Sequence, residues 1–249
     1  TMMAPGNDGD MWFGTRKGAV YFDGENWEYR QGKRWLPDDD VRNITVTPNG
    51  DAWFATANGI GIIQHRSLSL AEKAQWYEDE IDRYHRRTPF EFVLEVHVEE
   101  PGIKRNWKQY DSDNDGLWTS MYGAGQCFAY AANGDIQAKR RAKKVFDALK
   151  FLGDVTQGNL HSPPPGFVAR TVLPTSGPDP NIGLIKHDLH KKETDDSMWK
   201  IYEPRWPRSA DGKWYYKTDT SSDELDGHYF LYALYYDLVA DTESEKERV

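Results

Sequence analysis

Ten residues near the start of the chain return almost unchanged 41 positions later. Residues 9–18 (GDMWFGTRKG) and 50–59 (GDAWFATANG) agree at six of ten places. Short β-favouring runs alternate with turn residues around both copies. Residues 12–15, 19–22 and 26–29 are separated by Lys17-Gly18 and Asp23-Gly24, the pattern of successive hairpins. A loop at residues 36–39 then leads to an alternating run at 41–46, and residues 48–50 turn the chain into the second copy. A sheet this small cannot bury both faces alone and must stack on its like.

The 41-residue offset matches one four-stranded propeller blade of about 40–45 residues. Over residues 7–65 the chain resembles the two-component regulator propeller repeat, with its W-F-G-T-x-x-G, L-P-x-x-x-V and G-D-x-W-F-x-T segments. The resemblance implies the last one or two blades of a β-propeller, with Trp12, Trp27 and Trp53 in its core. It also implies a periplasmic or extracellular setting, because such repeats occur in sensors and beside polysaccharide-processing proteins. The chain opens inside a repeat, so it is expected to be a piece of a longer protein, and the absence of a visible signal peptide carries no weight.

After residue 66 the pattern changes. Residues 69–87 carry Leu70, Ala74, Tyr77, Ile81 and Tyr84 at steps of 4, 3, 4 and 3, which predicts an amphipathic helix with one buried stripe. Residues 90–98 read as one strand, and 67–109 as a linker between two domains, 1–66 and 110–249. Residues 117–133 and 135–152 predict two helices joined at Asn133-Gly134, an antiparallel hairpin. Gly123 and Gly125 are expected to permit close packing there, and Gly153 to end the second helix. Residues 154–219, rich in Pro, Gly and Asp, read as a long functional loop. A last helix is expected from Ser221, with Glu224 completing a capping box. It is apolar nearly all the way round to Val239 and so should be buried on all sides.

Helical hairpins with an aromatic inner helix and long polar loops are similar to the six-hairpin (α/α) toroids of glycoside hydrolases and polysaccharide lyases. The predicted fold class is therefore a partial β-propeller followed by part of an α/α-toroid-like domain. That architectural resemblance covers residues 110–240 and carries over no catalytic residue.

A net charge of −9 argues against a nucleic-acid partner, which needs a basic face. The cluster Lys139, Arg140, Arg141, Lys143 and Lys144 reads as one solvated helix face. No apolar run reaches the ~20 residues of a spanning helix, so no membrane insertion is expected. Aromatics are 14% of the chain, and Trp and Tyr offer flat faces that suit sugar rings. The lone Cys127 cannot form an internal disulfide and is expected to be a buried, inert thiol.

The densest polar constellation is residues 219–228 (DTSSDELDGH). Glu224 and His228 share a helix face four residues apart, and Asp223 lies above Gly227, whose missing side chain leaves room for a ligand. Asp223, Glu224 and His228 are thus the candidates for proton transfer, against the plainer reading that the acids only cap the helix. Asp115, Trp118, Tyr122, His161 and Arg170 are candidates for substrate binding, with Arg170 placed to neutralise a uronate. Asp111, Asp113 and Asp115 have the spacing of half a calcium loop. The twelfth position is Tyr122 and not Glu, so a polar turn competes with calcium there. His187 and His190 lack a visible third metal ligand. The expected function is hydrolysis or elimination on a polysaccharide; the alternative is a non-catalytic sensor or ligand-binding region of a signalling protein.

Overall fold

The computed structural model describes residues 2–7 and 9–249, and is of mixed α/β type with several small antiparallel sheets and six α-helices. Strands β1 (Met2–Pro5), β2 (Met11–Thr15), β3 (Gly18–Phe22) and β4 (Trp27–Arg30) form one antiparallel meander, and β5 (Val41–Val46), β6 (Ala52–Thr56) and β7 (Gly59–Ile63) a second. Helix α1 (Leu70–Glu80) runs into a π-helical turn at Ile81–His85. The hairpins β8 (Arg86–Arg87) with β9 (Phe92–Val93), and β10 (His97–Glu100) with β11 (Ile103–Lys108), follow. Then come α2 (Asp115–Asn133), α3 (Ile136–Asp154), β12 (Val172–Pro174), α4 (Leu184–Thr194), β13 (Trp214–Tyr216), α5 (Ser222–Leu238) and α6 (Glu243–Lys246).

The chain divides into two units, residues 1–78 with 97–108 and residues 79–96 with 109–249. The segment expected to be a linker is therefore shared between them. No closed barrel or propeller is formed by the described strands.

In the first unit the sequence repeat is also a repeat of register. Met3 pairs with Phe13 and Trp12 with Tyr21; 41 residues on, Ile44 pairs with Phe54 and Trp53 with Ile62. The two sheets bury Ala4, Trp12, Ala19, Ile44, Phe54 and Ile63 in one cluster. Of the three tryptophans expected in that core only Trp12 is buried, whereas Trp27 and Trp53 are 57% and 39% exposed. Each sheet has one covered face, and these two rings project from the other.

Helix α1 is shorter than its periodicity predicts, and its apolar side is not covered: Leu70 and Tyr77 are exposed. Spacing reports that a helix has an apolar side, not that a partner lies against it. Its start is set by a reciprocal capping box, in which Ser69 and Glu72 satisfy each other's backbone amides. Residues 90–98 are not one strand, since β9 ends at Val93 and β10 starts at His97.

The second unit is built on α2, α3 and α5. The turn between α2 and α3 is local chemistry: Gly134 takes φ 73° at the end of α2, and Asp135 accepts from the Gln137 amide to start α3. Helix α3 continues through Gly153 to Asp154, so Gly153 does not end it. Cys127, Val145, Phe146, Leu149, Leu231 and Tyr235 form the core of the three helices. A second cluster places Phe92, Leu152, Val172 and Tyr216 between α3, the β8–β9 hairpin and the antiparallel pair β12–β13. Burial holds the Cys127 thiol protonated, its pKa pushed up to about 11. Gly125 has open space around it and plays no packing role.

Residues 154–219, expected to be one loop, contain β12, α4 and β13. Their helical and strand signals are too short to stand out among Pro, Gly and Asp. Helix α5 buries Leu231 and Tyr235 but leaves Tyr229, Phe230 and Tyr236 exposed, so it is covered on one side only.

A Cβ on Gly123 would lie 2.5 Å from Val145 Cγ1 and 2.9 Å from Leu231 Cδ1, where α2 meets both other helices. Gly123→Ala is therefore expected to lower stability by about 1–2 kcal/mol, overpacking outweighing the gain in helix propensity. Urea unfolding checks it; a variant more stable than the parent would show looser packing.

Candidate functional site

The polar centre of the second unit starts from an unmet need at the beginning of α2. A helix leaves its first backbone N–H groups without intrahelical acceptors. The residue before α2, Asn114, makes no side-chain cap. The acceptor comes instead from α5, where Glu224 Oε2 takes bonds from the amides of Gly116 (2.9 Å) and Leu117 (3.1 Å). The expected capping box at Ser221 and Glu224 does not form, because Ser221 makes no cap bond and Glu224 serves the neighbouring helix.

Glycine makes this approach feasible. A Cβ on Gly116 would fall 2.6 Å from Glu224 Oε2 and 2.7 Å from His228 Nε2, so the two polar atoms sit side by side over Gly116. A Cβ on Gly227 would meet Ser120 Oγ at 2.6 Å and Leu117 Cα at 3.0 Å. The bare side of Gly227 is thus filled by α2 and does not leave room for a ligand, as its place beside Asp223 had suggested.

Asp115, Glu224 and His228 are all buried to 1% exposure or less. Asp115 Oδ2 accepts from the Arg87 guanidinium, from Thr171 Oγ1 (2.9 Å) and from the Val172 amide (3.2 Å). Arg87 also donates to the Val172 carbonyl, which ties β8, β12 and the start of α2 together. His228 Nδ1 faces Tyr232 Oη at 3.0 Å. Asp115 Oδ1, Glu224 Oε1 and His228 Nε2 have no hydrogen-bond partner.

Burial governs the charges here. It pushes the Glu224 carboxyl up to about 8, helped by repulsion from Asp115 and Asp223 and opposed by the two amides. It pushes His228 down to about 4. At neutral pH the acid therefore holds its proton and the imidazole is uncharged, with a proton on one ring nitrogen only. Asp115 is also raised by burial, against the pull of Arg87. Asp223 is exposed, and the Ser221 hydroxyl beside it holds its carboxyl below the usual range. The three residues expected to share proton transfer thus divide, with Asp223 on the surface and the other two sealed.

The expected substrate-binding residues are likewise dispersed. Trp118 is 47% exposed. Tyr122 Oη accepts from Arg86, whose guanidinium lies over its ring. His161 is exposed in the loop after α3, and Asp115 is closed off by Arg87. Of the three aspartates with calcium-loop spacing, Asp113 pairs with Lys217 and Asp115 with Arg87. Among the described residues no group of three or more His, Cys, Asp or Glu side chains could hold a metal ion. His187 and His190 lie on α4, where His187 Nδ1 is 3.5 Å from Asp188.

Arg170 lines an open cleft. It shares a cleft of about 240 Å³ with Met198, Trp199, Lys200, Tyr202, Arg205, Asp219 and Thr220, among others. Arg205 is its buried anchor, bonded to Asp188 (2.9 Å), the Lys200 carbonyl and Asp219, with Trp199 and Tyr202 flanking its guanidinium at 5.1 Å each. Arg170 donates to the carbonyls of Asp113 and Asp219. Asp219 Oδ1 and Thr220 Oγ1 are buried without a hydrogen-bond partner. The sequence carried a signal for this wall: in residues 199–206 (WKIYEPRW) rings alternate with cations.

No family model, no curated protein and no solved structure matches the chain.

Two outcomes are expected for the buried cluster. Arg87→Met strands Asp115 in the interior and is expected to cost about 3–5 kcal/mol, measured by urea unfolding. For Glu224 the native pKa exceeds the unfolded one, so the native state holds more protons between about pH 4.5 and 8 and stability falls as pH rises through that window. Glu224→Gln keeps the two amide bonds and is expected to lose less stability between pH 5 and 8.5. Equal slopes in parent and variant would place Glu224 in contact with water.

Proposed function

We propose that the chain is the ligand-binding region of an extracytoplasmic protein that handles carbohydrate, and that its ligand is an acidic sugar held in the Arg170 cleft. The two antiparallel sheets, repeating in register at 41 residues, support the reading of the first unit as propeller blades. The α2–α3 hairpin supports a toroid-like helical unit.

One observation carries the ligand reading. The cleft combines two rings with cations, and two of its residues bear buried oxygens with no hydrogen bond, Asp219 Oδ1, which lies 3.9 Å from Lys217 Nζ, and Thr220 Oγ1. A buried polar atom left unpaired costs about 1–3 kcal/mol, which a turn of these side chains toward the hydroxyls of a ligand would recover. Aromatic walls suit the apolar face of a sugar ring. The carboxylates of Asp188 and Asp219 neutralise Arg205, whereas Arg170 donates to the carbonyls of Asp113 and Asp219 and has the exposed Asp223 carboxylate within electrostatic reach only. Arg170 is thus the cation suited to a uronate carboxylate. At about 240 Å³ the cleft is small beside ordinary ligand sites of roughly 300–1,000 Å³, which favours a single sugar residue or a chain end.

Catalysis by Glu224 and His228 is the second reading, favoured by a protonated buried acid beside a neutral imidazole. Their sealed position is why binding is preferred.

Titration calorimetry with oligogalacturonate tests the proposal. Arg170→Met is expected to weaken uronate binding about tenfold, some 1.4 kcal/mol, and to leave a neutral oligosaccharide unaffected. Thr220→Val removes an unpaired hydroxyl, so it is expected to weaken binding with no loss of stability. Absence of heat with any uronate or neutral oligosaccharide would defeat the proposal; substrate turnover lost in Glu224→Gln would favour the second reading.

A further inference from the structure

The two copies of the repeat bury opposite faces. Residues 41 apart have the same pairing partners, yet Trp12 is fully buried while its counterpart Trp53 is 39% exposed. Ala19 is buried and its counterpart Ile60 is 67% exposed. The reverse holds on the other side: Ile44 is buried, and its counterpart Met3 is 68% exposed. The first sheet thus offers its Trp12 face to the second, and the second receives it on its Ile44–Phe54 face.

This stacking leaves one face open on each sheet. On β5–β7 the open face carries Trp53, Ile60 and Ile62 around an apolar groove of about 200 Å³. On β1–β4 it carries Met3, Phe13, Trp27 and Tyr29, with Trp27 stacked on Phe22 at 4.4 Å. By the repeat, the first of these open faces is equivalent to the face with which β1–β4 already packs. The second is equivalent to the face with which β5–β7 already packs. Both halves of a known contact are therefore present again, unpaired, at opposite ends of one two-sheet stack.

We propose that these faces bind each other between molecules: the Trp53–Ile60 face of one copy receives the Met3–Tyr29 face of a second copy, repeating the contact between its own two sheets. The interface is head-to-tail, so each molecule keeps one open face after the first contact, and assembly proceeds until a ring closes or a filament grows. A contiguous apolar patch on a sheet face is the expected signature of such a contact.

Sedimentation velocity of the whole chain tests this up to about 100 µM, where a contact of micromolar Kd is saturated. The expected result is a mass that rises with concentration past the dimer. Ile60→Asp and Tyr29→Asp each place a charge at a position about two-thirds exposed in the single molecule, so both variants should keep the circular dichroism of the parent. Each alone is expected to be monomeric. Mixed one to one they should form a heterodimer that grows no further, because each retains the face the other lacks. A parent that stays monomeric throughout the range overturns the proposal, as does a dimer lost in only one of the two variants.

Discussion

The second unit depends on a carboxyl from one helix meeting the bare start of another. Helix α2 has no cap of its own, and Glu224 on α5 answers two of its amides. Glycine at 116 and 227 lets the helices come close enough for that bond to form. The same closeness strips water from Glu224 and His228, so their shifted pKa values follow from the packing. Arg87 extends the arrangement by joining Asp115 to Thr171 and Val172. A helix end, a helix side and a short strand are thus fastened at one polar centre.

That centre also orders the cleft. Asp219 and Thr220 immediately precede α5, and Arg170 immediately precedes the Thr171–Val172 pair that holds Asp115. The cleft wall therefore stands on backbone that the buried centre fixes, which is how a small site gains rigidity. Glu224 and Asp115 hold the frame, and the segment at 199–206 lines the cleft through Trp199, Tyr202 and the buried Arg205.

Much of the architecture was readable before any coordinates. The repeat announced two stacked sheets because identity at a fixed offset survives whatever surrounds it. The α2–α3 hairpin was readable because Gly134 and Asp135 act locally. What could not be read required knowledge of partners. Nothing in the spacing of Leu70 and Tyr77 says that their side of α1 is uncovered. The identity of Trp53 with Trp12 hides the inversion of their burial, which depends on which neighbour each sheet has. Ser221 and Glu224 have capping-box spacing, but the donor amides at the start of α2 compete for the carboxyl and win. The charge of Arg170 is legible, and it lines the cleft. The rings beside it lie in a segment that reads as loop, which hides them.

The buried carboxyl is open to direct observation. Carboxyl ¹³C NMR of Glu224 across pH should show a single midpoint near 8, displaced upward by burial, with the Gly116 and Leu117 amide signals moving at that same pH. A midpoint near the ordinary value for glutamate, or amides indifferent to it, would contradict the helix-to-helix cap from which the rest of the second unit is built.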